Sequence, residues 1–281
     1  MTVSTEAALS LSPPATAAPA SKRKLQSFAW DEIARSMPDF SQAPSTLYYR
    51  DCEIELFRRH AGDLRGKRFL KLDLWNEAIN TRILKWVAEQ GAEVFGMDIS
   101  HVVSRRAHQN ALNEGSDMDL VRADIRELPY ADESFDIVYT MGTIEHIDEY
   151  RHAIEEIRRV LKPGGRAIIG VPFKYDIFLR PLLVAVLEAF GKYPYAPEKS
   201  FTPAELKKDV ADAGLDVKAR TGILIVPGIL RMADVYFHIH RIPLLWLTSA
   251  LVRPFAWLEK RWEWPGNFGY LLTVVADRPR R

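Results

Sequence analysis

Three carboxylates recur at one kind of place in this 281-residue chain: Asp73 after the apolar run FLKL, Asp98 at the close of EVFGMD, and Asp124 in VRADIRELPY. Each stands at or near the end of a stretch that reads as a buried strand, and in an open parallel sheet the loops at those ends form the ligand crevice. A carboxylate ending the second strand can accept both hydroxyls of a ribose, which suits Asp98; the rival reading is that Asp98 opens and caps the following helix. Asp124 can accept an amine hydrogen from an adenine ring, with Ile99 and Ile125 supplying apolar surface around the base. Further on, GTIEHI (142–147) carries Glu145 and His146. A neutral imidazole can take a proton near neutral pH, which makes His146 the candidate general base for a hydroxyl acceptor. The alternative is a helix-start histidine that shapes the pocket.

Positioning such side chains requires a sheet. Residues 68–74, 93–98, 119–123, 135–141 and 165–173 read as strands, and 78–90, 101–114 and 150–161 as helices, with Ser100 the N-cap of the second. Strands joined by helical crossovers predict a mainly parallel sheet covered on both faces. Over 202–214 a Thr cap, Pro203 at the first helical position, Glu205 and a closing Gly214 predict another helix. Residues 215–226 and 268–278 then read as a strand pair forming an antiparallel edge, and the apolar 227–265 between them is too long for a turn, so a helical insertion is expected. Upstream, Trp30, Ile33 and Met37, then Tyr48, Ile54 and Phe57, predict helices against the core. The expected organisation is a disordered tail over 1–25, rich in Ala, Ser, Thr and Pro, a helical region over 26–65 and one α/β domain over 66–278.

The order of these pieces is more specific than its members. GMDIS (96–100), ADIRELPYADESFDIV (123–138), GTIEHI and RRVLKPGGRAIIGVP (158–172) together resemble the class I S-adenosylmethionine-dependent methyltransferases, especially the group acting on small molecules and lipids. The resemblance covers about 66–226 plus 268–278. It implies a Rossmann-like, mainly parallel seven-stranded sheet with helices on both faces and an antiparallel last strand, and S-adenosyl-L-methionine as cofactor. It further implies that Asp98 holds the cofactor ribose, that Ile99 lines the adenine, and that Asp124 bonds the adenine amine with Ile125 beside it. Met141 and Gly142 would border the methionine part, and Glu145 and His146 would face the cofactor or the acceptor mouth.

One stretch departs from the family. Its members usually place an acid and several glycines after the first strand; here Asp73, Leu74, Trp75, Asn76, Glu77 and Ala78 stand there, and either Lys71 or Asp73 aligns with the acid. Three readings follow. Asp73 and Asn76 replace the backbone contacts and bind the cofactor amine or carboxylate; the cofactor binds in a shifted pose for a non-methylating reaction; or the fold is a structural or regulatory relic with poor cofactor binding, which would suit a noncatalytic protein that docks a membrane or partner through its apolar insertion.

A formal net charge of +1 gives no concentrated basic face for nucleic acid, and a lone cysteine, Cys52, excludes an internal disulfide, which suits a reducing cytoplasm. His238 and His240 lack a third ligand nearby, so no metal site is expected. Two apolar additions remain: a hydrophobic cap over 175–197 and the insertion, whose longest uncharged run, Ile242 to Val252, is eleven residues against the roughly 20 needed to span a bilayer. Its Trp and Arg residues suit peripheral contact with the inner face of a membrane, a lid over an apolar acceptor, or subunit packing. The expected activity is methyl transfer to a hydrophobic, glycosylated or lipid-linked small molecule.

Overall fold

The structure is a computed structural model, described over residues 20–280. Residues 1–19, most of the expected tail, lie outside the described residues, and from Ala20 the chain is already helical: α1 spans Ala20–Ser36 and α2 Pro44–His60.

Seven strands form one sheet: β1 (Arg68–Lys71), β2 (Glu93–Asp98), β3 (Asp119–Arg122), β4 (Phe135–Met141), β5 (Leu161–Pro172), β6 (Asp216–Ile223) and β7 (Leu271–Asp277), in the order β3-β2-β1-β4-β5-β7-β6. All pairings among β1 to β5 are parallel, and β7 runs antiparallel to both β5 and β6. The expected strand pair forms an antiparallel edge on the parallel sheet: β7 is inserted between β5 and the edge strand β6, antiparallel to both, so β6 itself runs parallel to β5.

Helices cover both faces. On one, Phe57 of α2 meets Tyr139 of β4 edge-on at 4.8 Å. On the other lies α6 (Tyr150–Val160), whose Tyr150, Ala153, Ile154, Ile157 and Val160 fall on one stripe at helical spacing and are all buried. Between β2 and β3, α5 (His101–Asn113) starts where the Ser100 hydroxyl accepts from Val103 N at 3.1 Å. The helix expected over 78–90 is instead two short ones, α3 (Trp75–Ile79) and α4 (Ile83–Glu89), separated by Arg82 at a left-handed φ of 52°.

The additions are α7 (Arg180–Ala189), α9 (Gly228–Ile239) and α10 (Leu245–Arg261), flanking α8 (Pro203–Asp212) in chain order. They leave large apolar side chains in solvent: Leu182 and Val186 on α7 with Phe190 at its end, Met232 and Tyr236 on α9, Trp246 and Trp257 on α10. No helix among the described residues is long and apolar enough to cross a membrane.

Candidate active site

A cavity of about 190 Å³ opens at the carboxyl ends of β1, β2 and β4. Asp73, Asn76, Asp98, Ile99 and Asp124 line it, and so do Ile125, Met141, Gly142, Glu145 and His146, so the residues expected at the site are all brought together.

Asp98 ends β2 with each oxygen accepting one backbone amide, Oδ2 from Leu74 N at 2.9 Å and Oδ1 from Ser100 N at 2.8 Å. The cap of α5 is Ser100, so Asp98 is not the N-cap. Burial pushes the Asp98 carboxyl up to about 6, against the pull of those two amides. Each oxygen retains capacity for a second donor.

Asp124 is more heavily engaged. Arg126 grips it with Nε at 2.8 Å, Nη2 at 2.7 Å and its backbone N at 2.9 Å. Burial raises the carboxyl, but the guanidinium outweighs it and holds the group below its ordinary value. Three of roughly four acceptor positions are thus filled, leaving one for a base amine.

The glycine-free turn is built by side chains. Lys71, fully buried, donates from Nζ to Asp73 O at 2.8 Å and to Asp73 Oδ1 at 2.7 Å, and lies 3.9 Å from Glu77 Oε1. Burial works against its charge, yet Asp73, Glu77 and Glu53 more than offset that and hold the ammonium above its ordinary value. Burial also pushes Glu77 up to about 8. With the Leu74 amide captured by Asp98, the chain leaves the strand direction at Lys71, which is why β1 is shorter than the apolar run suggests. Behind this turn Glu53 accepts from Tyr139 Oη at 2.6 Å and from Asn76 Nδ2 at 3.4 Å.

Gly142 follows β4 at φ +80°, a left-handed conformation that favours glycine, and a Cβ there would sit 3.5 Å from Glu145 Oε1. Glu145 is buried, and burial pushes its carboxyl well above the ordinary value. His146 Nδ1 lies 2.9 Å from Pro197 O. A carbonyl only accepts, so Nδ1 carries the proton and Nε2 keeps its lone pair. Burial lowers the His146 pKa, so the ring is neutral at pH 7.

Two carboxylate oxygens in the cavity, Asp73 Oδ2 and Glu145 Oε2, are buried with no hydrogen-bond partner among the described residues. Orphaned acceptors of this kind are costly, and they suit a ligand that brings N–H donors and positive charge.

Sequence reasoning missed the roof. Trp30 and Gln26 of α1 line the cavity, and Trp30 meets Trp75 at 5.8 Å and His146 at 5.0 Å. Asp31 accepts from Val102 N at 3.1 Å and from the Ser100 hydroxyl, fastening α1 onto the start of α5. Tyr49, Arg180, Tyr195 and Arg231 form a further part of the wall; the aromatic run after α7 was visible as a loop, but nothing in it told which ring turns inward. Among the described residues no group of three His, Cys, Asp or Glu is arranged to hold a metal ion.

The chain is similar in sequence and fold to known methyltransferases. A family described as "Methyltransferase domain" matches residues 65–169. The ubiquinone biosynthesis O-methyltransferase of Rhizobium rhizogenes is 27% identical over 208 residues, 70% of this chain and 81% of its own. The demethylmenaquinone methyltransferase of Thermus thermophilus is 29% identical over 180 residues, 58% of this chain and 82% of its own. In three dimensions, an S-adenosylmethionine-dependent methyltransferase from Mesorhizobium loti superposes with a TM-score of 0.56 at 16% identity, covering 81% of this chain and 98% of that one.

Proposed function

We propose that this chain is an S-adenosylmethionine-dependent methyltransferase that methylates a hydroxyl of a hydrophobic, quinone-type small molecule, a reading supported by the methyltransferase-domain match and the class I fold. The carrying observation is that the acidic strand ends, the two orphaned carboxylate oxygens and the lone pair of His146 share one cavity. The donor set fits the cofactor, which has a ribose, an adenine amine, an ammonium and a sulfonium. Asp98 would hold the ribose hydroxyls, and Asp124 would use its one remaining position on the adenine amine, between Ile99 and Ile125. Asp73 Oδ2 and Glu145 Oε2 would take the ammonium, with Asn76, Met141 and Gly142 bordering the methionine chain. Bound, the cofactor supplies an electrophilic methyl group. His146 Nε2 would remove the acceptor's proton as the oxygen attacks, and much of the acceleration would come from alignment in a chamber roofed by α1.

The names of the relatives support an acceptor of quinone type, and the exposed apolar faces of α7, α9 and α10 support peripheral contact with a lipid surface. Arg241, Arg253, Lys260 and Arg261 border those faces and suit anionic headgroups. Three experiments test the reading. Calorimetry should show S-adenosylmethionine binding in the micromolar range, and radiolabelled cofactor should pass its methyl group to hydroxylated, prenylated quinol precursors. No heat of binding together with no protection from thermal unfolding would refute it. Sedimentation with vesicles should depend on both salt and anionic-lipid content; absence from all vesicles would remove the membrane part alone.

A further inference from the structure

We propose that the acceptor carries an anionic group, a carboxylate or a phosphate, and that Arg231 receives it beside an aromatic wall formed by Tyr49, Tyr195 and Tyr270. The proposal deepens the preceding section and rests on its reading of the cavity as the acceptor chamber.

The guanidinium groups of the cavity differ in whether their charge is already neutralised. Three arginines line the cavity. Arg126 is held by Asp124 and, at 3.2 Å, by Glu149. Arg180 is paired with Glu198 through both terminal nitrogens, the Nη2 bond being 2.9 Å, and lies 4.2 Å over the Tyr270 ring. Arg231 differs. Its Nη1 donates to the Ser45 carbonyl at 3.0 Å, its guanidinium lies 5.2 Å from the Tyr49 ring centre, and no carboxylate among the described residues forms an ion pair with it. The nearest acid on its own helix, Asp234, is taken by Ser45 N and the Thr248 hydroxyl, both at 2.7 Å.

A half-buried guanidinium with one carbonyl partner keeps unused donors in a fork that matches a carboxylate or phosphate edge. Removing such a charge from water is unfavourable unless a counter-charge completes it. The flanking rings favour a planar body: Tyr195 meets Trp75 at 5.7 Å and Tyr193 at 5.6 Å, so this wall is fixed by ring-to-ring contacts. Arg231 also stands in the first turn of α9, whose outer face is the exposed apolar one, so an anionic head at Arg231 leaves a hydrophobic tail a short route outward.

The experiment uses the full chain, with and without S-adenosylhomocysteine, titrated with three probes of equal shape and different charge: 2-naphthoate, 2-naphthyl phosphate and 2-naphthamide. Tryptophan fluorescence reports binding, since Trp30 and Trp75 line the cavity. At least one anion should bind about tenfold or more tightly than the amide, and which anion wins separates the carboxylate from the phosphate source. Arg231→Gln should abolish the preference, and Arg231→Lys, which keeps the charge but loses the fork, should reduce it several-fold; the latter is the deciding variant if Arg231→Gln does not fold. Equal binding of all three probes, no binding of any, or a preference that survives substitution of Arg231 would overturn the proposal. Cofactor binding measured separately on the same protein distinguishes this failure from failure of the methyltransferase reading.

Discussion

Lys71 Nζ lies 2.7 Å from Asp73 Oδ1 in a pair whose ammonium has no solvent-exposed surface. Glu77 and Glu53 stand close by, so this one cation balances a surplus of carboxylates. Lys71→Met should therefore lower unfolding stability by about 3–5 kcal/mol, the usual cost of leaving buried charge uncompensated, as read from urea denaturation at neutral pH. Asp73→Asn should weaken S-adenosylmethionine binding about tenfold in calorimetry while the protein still folds, because Glu77 can ionise in its place. Unchanged cofactor affinity would remove Asp73 from the site.

Cofactor affinity should depend on pH through Asp98. Its carboxyl titrates at about 6, and the ionised form is the better acceptor for ribose hydroxyls. Binding should strengthen as pH rises through about 6 and level off above about 7. Asp98→Asn should flatten that profile and cost about 1.5–3 kcal/mol of binding, the range for a hydrogen bond to a charged group.

Glu77 makes a separate prediction about folding. Its pKa is raised to about 8 in the folded state against 4.5 as the ordinary value, so the folded chain holds this proton more tightly than the unfolded one. The associated stability is fully present below the unfolded value and is lost as pH rises through about 8. Melting temperature should fall progressively from about pH 5 to about pH 8 and level off above it, and Glu77→Gln should reduce that fall. An identical pH dependence in the variant would assign the loss to another group.

His146 should separate chemistry from binding. His146→Asn, whose amide nitrogen falls near the Nδ1 position, can still donate to Pro197 O but cannot act as a base, so kcat on a hydroxyl acceptor should drop by about 10²–10⁴ with cofactor affinity unchanged. Retained kcat would mean that His146 only shapes the pocket.

The strand ends were legible in the sequence because parallel strands buried on both faces read as short apolar runs, and Asp98 and Asp124 fall where those runs stop. Ser100 and Thr202 announced their helices through side-chain capping, a signal carried within three residues; the Thr202 hydroxyl accepts from Glu205 N at 3.2 Å. The split between α3 and α4 was not legible, since Arg82 adopts its left-handed conformation with no local glycine to mark it. Nor were Glu53 and Trp30. Each reaches the site from a helix far away in sequence, Glu53 meeting Tyr139 and Trp30 meeting His146, and such a meeting depends on how α1 and α2 dock rather than on any local pattern. The place of β7 was invisible for the same reason: alternation marks a strand and does not say which two neighbours it joins.

That place has a consequence for synthesis. β7 pairs with β5 on one side and β6 on the other, from Arg166 opposite Asp277 to Pro172 opposite Leu271 on the first. It is also the last of the seven strands to leave the ribosome. Until it emerges, the nascent chain carries a parallel sheet ending in the unpaired, apolar edge of β5, while β6 has no partner and α9 and α10 wait beside it. An open edge of that kind templates pairing with other chains. A ribosome stalled between β5 and Leu271 therefore leaves that edge open, and the final strand closes it.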